Sequence, residues 1–260
     1  MAKERIDVLM VQRGLAASRE RAQAFLMAGA VRVNGFAELK AGTRVDADAA
    51  IELAEDPLPY VSRGGLKLEA ALDEWGVDLN GIVCVDIGAS TGGFTDLMLQ
   101  RGAARVYAID VGYGQLDYKL RNDPRVVNME RTNVRLLDVE EFPERAGFIA
   151  IDVSFISLKL VLPVAAGLLD KGGVSHMNRP LGSGNHMNRS LLVCLVKPQF
   201  EAERGQVGKG GIVRDSAVHE AVVDKVKGYA SDNGFKVNGV IESPILGTKG
   251  NKEFLVLLNE

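Results

Sequence analysis

Seven short apolar runs occupy much of residues 82–259, and their alternation with helix-forming stretches limits the fold more than any other feature. They are IVCVDI, RVYAID, RVVNM, FIAIDVSF, SLLVCLVK, FKVNGVIE and EFLVLLN. Helical spacing fills the intervals, notably over 95–101, 157–169 and 216–233. Near-continuous apolar strands separated by helices predict an α/β unit whose mostly parallel sheet is covered on both faces. Ligands of such sheets sit beyond the carboxyl ends of the strands, where the strand order reverses.

The first run leads into a tight corner, VCVDIGASTGGFTDLML. The glycine spacing is not the G-x-G-x-x-G of a dinucleotide site. The form D-x-G-x-x-x-G-G instead resembles the first motif of S-adenosylmethionine-dependent methyltransferases. That cofactor carries a sulfonium cation and an amino-acid tail but no pyrophosphate, so an acid at Asp86 is tolerable near the methionine part. Glycines allow the backbone to approach the tail closely. The resemblance makes Asp86, Gly88, Ser90, Gly92, Gly93 and Phe94 candidate cofactor residues. Asp110 ends the next run, where an acid can accept hydrogen bonds from both ribose hydroxyls. Asn133, after the third run, is a candidate for the adenine end. A generic strand-turn-helix corner would also show Asp86, Gly88 and Asp110, and a plain turn would equally accommodate Asn133.

Asp152 ends the fourth run and Lys197 the fifth. Adjacent strands lie about 4.8 Å apart, so their ends can present both side chains to one pocket. In methyltransferase topology the seventh strand runs antiparallel between the fifth and sixth, which returns Glu253 to the same rim. Lys67, in SRGGLKLEAAL, precedes the first strand, and the sequence does not place it. Lys67, Asp152, Lys197 and Glu253 match in order and context the Lys-Asp-Lys-Glu tetrad of FtsJ-type RNA ribose 2′-O-methyltransferases. A ribose hydroxyl is a poor nucleophile and must shed its proton as it attacks the sulfonium methyl. A buried lysine beside another cation can fall from its usual pKa of about 10.4 and accept that proton. On this reading Lys197 accepts the proton or orients the hydroxyl with Asp152 as its partner, while Lys67 and Glu253 align the hydroxyl and tune the field. For any one of the four taken alone a surface ion pair is the better reading; the four together at the expected element ends reverse it.

The formal net charge of −3 conceals a basic front segment, in which residues 1–45 carry eight Lys/Arg against four Asp/Glu. Two short amphipathic helices are predicted there. Ile6, Leu9 and Met10 mark the first, which Gly14 closes; Ser18 caps the second, which runs through Ala22, Phe25 and Leu26. The combination SRERA…GAVRVNG resembles the alpha-L RNA-binding domain of a small-subunit ribosomal protein and many pseudouridine synthases. Arg5, Arg19, Arg21 and Arg32 are the candidate phosphate contacts; a solvated helix surface is the alternative from the charge count alone. EDPLPYVSRGG has the composition of a linker. The expected organisation is a small α+β RNA-binding domain over 1–58, a linker over 59–64, and a Rossmann-like methyltransferase domain with a seven-stranded, mostly parallel sheet over 65–260.

Nearly end to end, through VSRGGLKLEAAL, DIGASTGGFTD, IDVSFISL, LVKPQFE, GKGGIVRD and KGNKEF, the chain resembles the TlyA family. The resemblance implies 2′-O-methylation of cytidine in small- or large-subunit ribosomal RNA, with S-adenosylmethionine as cofactor and ribosomal subunits as partners. A non-catalytic RNA-binding assembly factor is the alternative within RNA biology. The family also carries the name haemolysin A, but nothing in the sequence supplies a mechanism for membrane lysis. No apolar run approaches the roughly 20 residues that span a bilayer, and the N-terminus has no secretory h-region. Cys84 and Cys194 lie inside apolar runs as expected for reduced thiols, and with only His176, His186 and His219 no metal site is expected. A cytoplasmic location follows; the oligomeric state does not.

Two further stretches stand out. Over about 174–190, VSHMNRPLGSGNHMNRS repeats HMNR around a Gly/Ser core and is expected to be a disordered or poorly packed insertion, with an RNA-contacting loop or an introduced scar as the alternatives. GKGGIVRD lacks the P-loop pattern; its glycines suggest a mobile lid and Asp215 a helix cap, while Lys209 and Arg214 suit contacts to RNA phosphate or plain surface positions equally.

Overall fold

The structure, a computed structural model, describes residues 3–16, 18–27, 30–37, 40, 42–53, 59–172 and 190–260. The chain divides into two compact units, Met1–Arg63 and Gly64–Glu260. The HMNR-containing insertion lies outside the described residues apart from Ser190, whose hydroxyl donates to the Asp170 carbonyl at 2.7 Å.

In the first unit β1 (Lys3–Arg5) passes directly into α1 (Ile6–Gln12). Ile6, Leu9 and Met10 form its buried stripe, and Gly14 takes φ +71 just beyond its end. Ser18 Oγ accepts the Arg21 backbone N–H at 3.2 Å, capping α2 (Arg19–Met27) as expected, with Ala22, Phe25 and Leu26 buried. After β2 (Val31–Val33), Asn34 and Gly35 both adopt positive φ and turn the chain into β3 (Phe36–Ala37), the pairing that an Asn-Gly hairpin favours. β4 (Arg44–Asp46) pairs antiparallel with β1, and β5 (Ile51–Leu53) pairs antiparallel with β2.

The second unit opens with α3 (Gly64–Trp75) and β6 (Val83–Ile87), then α4 (Gly93–Gln100), β7 (Arg105–Ile109), α5 (Tyr118–Arg121) and β8 (Val126–Met129). There follow β9 (Phe148–Ile151), α6 (Leu162–Leu168), β10 (Leu191–Val196), α7 (Pro198–Glu201), α8 (Ser216–Asp232), β11 (Lys236–Glu242) and β12 (Phe254–Asn259). The seven strands form one sheet in the order β11-β12-β10-β9-β6-β7-β8, in which β12 runs antiparallel to both β10 and β11. All seven apolar runs therefore become strands of one sheet. The reversal of order lies at β6 and β9, where the chain leaves one half of the sheet for the other.

The helix expected over 157–169 is split into a 3₁₀ turn at Leu158–Leu160 and α6. Pro163 sits in the first turn of α6 and has no N–H to continue an earlier helical ladder. Packing on the sheet joins Ile87, Ile149, Ile151 and Val196 to Leu162, Ala165 and Leu168 of α6 and Val222 and Val226 of α8. Cys84 and Cys194 are free and buried, and burial pushes the Cys194 thiol up to about 12 and Cys84 higher still. Both behave as small apolar residues in the sheet.

Candidate functional site

The glycine corner follows from how closely β6, β7 and β9 approach. At Gly88, φ is +92, and a Cβ there would lie 2.4 Å from the Asp152 carbonyl oxygen. Gly88 and Ala89 donate their N–H groups to the Ile109 carbonyl at 2.8 and 3.1 Å, clasping the corner to the end of β7. Ser90, also at positive φ, donates its N–H to Asp110 Oδ2 at 2.8 Å, and Gly112 donates to Oδ1 at 2.7 Å. Two backbone donors thus fix the Asp110 carboxylate while each oxygen keeps acceptor capacity for a ribose hydroxyl. Gly92 begins α4 at φ +96, where a Cβ would meet Leu120 Cδ1 at 2.2 Å.

A cleft of about 500 Å³ opens over this corner, lined by Gly88, Ser90, Asp110, Asn133 and Asp152 among others. Asn133 Oδ1 accepts the Arg135 backbone N–H at 3.2 Å and caps the 3₁₀ turn Val134–Leu136. Asp86, Gly92, Gly93 and Phe94 are buried beneath the corner and are not part of the lining. Asp86 Oδ2 accepts the Thr95 hydroxyl at 2.6 Å, while Oδ1 is buried without a hydrogen-bond partner. Burial pushes its carboxyl up to about 7, against the Thr95 hydroxyl and reinforced by nearby Asp152.

The four tetrad candidates form two pairs. Lys197 Nζ lies 2.5 Å from Asp152 Oδ1 and donates to Ser154 Oγ at 2.8 Å. The approach to Asp152 is an ion pair outside hydrogen-bond geometry, so Oδ1 has no hydrogen-bonding donor. Lys67, placed by α3, donates to Glu253 Oε2 at 2.6 Å, with side-chain exposures of 11% and 2%. Val196 pairs with Phe254 across β10 and β12, so Lys197 and Glu253 stand next to the last paired register on facing strands. Register alone brings them to one rim, where opposed residues have Cβ atoms about 5 Å apart.

Two residues at this rim escaped the sequence reading. Ser154 completes the surroundings of Lys197. Phe155 is 92% exposed at φ +64, with its ring 5.0 Å from that of Phe200. A left-handed backbone costs an L-residue about 1–2 kcal/mol, a strain that the surrounding loop must hold in place. Both lie inside IDVSFISL, but no periodicity distinguishes them from neighbouring loop residues. GKGGIVRD is also less free than its glycines suggest: Asn251 accepts the Val213 N–H at 3.0 Å and donates to the Gly211 carbonyl at 2.9 Å. Asp215 caps α8 through the Ala217 N–H, as expected.

A family model described as FtsJ-like methyltransferase matches residues 60–260, and an S4 domain model matches residues 4–51. The chain belongs to the FtsJ-like methyltransferase family. Bacillus subtilis YqxC is 48% identical over 258 residues, covering 99% of this chain and 86% of that one. The Mycobacterium tuberculosis protein named 16S/23S rRNA (cytidine-2′-O)-methyltransferase TlyA is 42% identical, covering 98% and 90%. A solved hemolysin-named protein from Streptococcus thermophilus is 46% identical with a TM-score of 0.74, covering 100% and 89%. As an FtsJ-like methyltransferase the chain uses S-adenosylmethionine, and the site fits it. The cleft volume is in the range of small-molecule sites, the oriented Asp110 suits a ribose, and the bare Gly88 leaves room at the corner.

In the S4 unit the candidate arginines divide. Asp7, fully buried, accepts both Nε and Nη2 of Arg5 at 2.9 Å and Nη2 of Arg19 at 3.1 Å. The Arg5 guanidinium, helped by Gln23 and Arg19, holds the Asp7 carboxyl well below the usual range. Arg21 donates to the Tyr60 carbonyl and lies over the Phe25 ring. Arg32 is exposed and reaches the Gly35 carbonyl only at 3.4 Å. Among the described residues no helix is long and apolar enough to cross a membrane.

Proposed function

We propose that the protein methylates the ribose 2′-hydroxyl of a cytidine in ribosomal RNA. The reading is carried by one observation: two lysine–carboxylate pairs at a common strand-end rim, beside a cleft floored by Gly88. The bound cofactor supplies a methyl on a sulfonium sulfur. Lys197, between Asp152 and Ser154, holds the ribose hydroxyl by hydrogen bonding, and the Lys197–Asp152 pair takes its proton as the oxygen attacks. Lys67 and Glu253 balance charge at the same rim and keep the second amine oriented. Asp86, Gly92, Gly93 and Phe94 act from below by shaping the corner, while Gly88, Ser90, Asp110 and Asn133 face the cofactor. The exposed Phe155 ring, backed by Phe200, offers a stacking face for a base drawn out of its helix. In the S4 unit Arg5, Arg19 and Arg32, with Arg21 as a lesser contributor, contact RNA phosphates. Ribosomal RNA and cytidine are supported by the name of the M. tuberculosis relative, and ribosomal subunits in the cytoplasm are the corresponding partners.

The test is tritiated-methyl transfer to purified ribosomal subunits, followed by mapping of the modified nucleotide. The wild-type protein is expected to label ribosomal RNA, and Lys197→Ala to lose labelling while binding S-adenosylmethionine normally. Undiminished turnover by Lys197→Ala would contradict the assignment.

A further inference from the structure

The segment 154–158 after β9 and the segment 197–201 after β10 are tied together at three points. Lys197 Nζ donates to Ser154 Oγ at 2.8 Å, and the Phe155 and Phe200 rings meet at 5.0 Å. At the far end Glu201 Oε2 accepts the Ser157 hydroxyl at 2.7 Å, and Oε1 accepts the Leu158 backbone N–H at 2.7 Å. Glu201 is 4% exposed, takes no part in the chemistry described above, and directs both oxygens to this one loop. Burial pushes its carboxyl up, and the two hydrogen bonds oppose that shift. Lys225 of α8 donates to the Glu201 carbonyl at 2.8 Å, so the residue is anchored from behind as well.

The Leu158 N–H requires an acceptor at this position, and the Ser157 hydroxyl donates to the same carboxylate. Ser157 Oγ already accepts the Lys159 backbone N–H at 3.2 Å, which leaves its proton to be donated onward. A carboxylate accepts that proton and the Leu158 N–H together; a carboxamide has only one accepting atom. The loop held in this way contains Phe155, whose positive φ persists only where surrounding structure over-determines it.

We infer that Glu201 is a positioning residue for the methyl-transfer reaction. Its carboxylate sets residues 154–158 so that the Phe155 ring and the Ser154–Lys197 contact are presented to the target nucleotide at once. This rests on the RNA ribose methyltransferase reading. The ligand it serves is the extruded base and its ribose hydroxyl, not the cofactor, whose corner is built by β6 and β7.

Glu201→Ala, Glu201→Gln and Ser157→Ala test the inference through three measurements: S-adenosylmethionine affinity by calorimetry, amide exchange over 154–158, and methylation kinetics on ribosomal subunits. A misplaced reacting group of about 1 Å costs on the order of 100-fold, so Glu201→Ala is expected to lose about that in kcat/KM. Its cofactor affinity should stay within about twofold, and exchange at 154–158 should accelerate. Glu201→Gln keeps the Leu158 bond and is expected to recover to within about tenfold of wild type, with Ser157→Ala similar. If Glu201→Ala does not fold, the last two variants carry the test, and wild-type rates with wild-type exchange in both overturn the inference. So does a Glu201→Ala protein that methylates normally, or one that loses cofactor affinity in proportion to activity. A wild-type protein inactive on both subunits overturns the methyltransferase reading itself, and this inference with it.

Discussion

Gly88 and Asp152 lie so close that no side chain fits between them: a Cβ on Gly88 would stand 2.4 Å from the Asp152 carbonyl oxygen and 2.8 Å from its carbonyl carbon. The glycine corner and the strand end bearing the tetrad candidate Asp152 are therefore one mechanical unit. Gly88→Ala adds a positive-φ penalty to a clash with backbone that cannot rotate away. A loss of about 2–4 kcal/mol in stability and at least tenfold weaker S-adenosylmethionine binding are expected. Urea unfolding and calorimetric titration measure both, and an unchanged cofactor affinity would show that the corner is not where it binds.

Removing one member of the Lys67–Glu253 pair should cost more than removing both. Lys67→Met strands a carboxylate that is only 2% exposed, for an expected loss of about 3–5 kcal/mol. Combining it with Glu253→Leu should restore much of that stability, because an apolar pair needs no solvation. Activity should stay lost in both proteins. Denaturant melts beside methylation assays read the two effects separately, and a double variant less stable than the single one would refute the account.

Asp86 gives the second unit a pH dependence of definite sign. Its folded pKa of about 7 lies above the ordinary value near 3.9, so the folded state binds the extra proton between those limits. Its contribution to stability is complete below about pH 4 and is lost as pH rises toward about 7. Asp86→Asn should flatten that slope in melting temperatures recorded from pH 4 to 8. Asp7 in the S4 unit acts with the opposite sign: its depressed carboxyl contributes fully above about pH 4, and that contribution is lost in stronger acid.

The arginines of the S4 unit should separate into structural and RNA-facing groups. Arg13 donates to the Ala47 and Ala49 carbonyls at 2.5 and 2.6 Å, so Arg13→Ala is expected to cost the unit about 1–3 kcal/mol. Arg32→Ala should leave stability within about 0.5 kcal/mol yet lower the salt dependence of RNA binding by about one unit of log–log slope. Thermal melts and RNA titrations at several salt concentrations distinguish them. An Arg32→Ala protein with an unaltered slope removes that residue from the interface.

Local pattern carried much of the architecture. The apolar runs from IVCVDI to EFLVLLN identified all seven strands: the central ones are buried on both faces and read as continuous apolar runs, while the edge strands β8 and β11 are only partly covered yet stay apolar enough to be recognised. Asp110, Asp152 and Lys197 could be assigned to strand ends because a polar residue closing an apolar run has little alternative to the rim. The Asn34-Gly35 turn and the Ser18 and Asp215 caps are likewise local, since a cap joins residues two or three apart.

What the sequence by itself determined was the order of elements, the glycine corner after β6 and the types of residue at the strand ends. Tertiary structure decided the pairings: Lys67 with Glu253 across 186 residues, Asp7 of α1 with Arg19 and Gln23 of α2, and Glu201 beneath a loop more than 40 residues earlier. Each depends on which elements pack side by side and at what register, and hydrophobic periodicity does not encode that register. The left-handed backbone of Phe155 belongs to the same class, because a conformation disfavoured by its own side chain is imposed by what surrounds it.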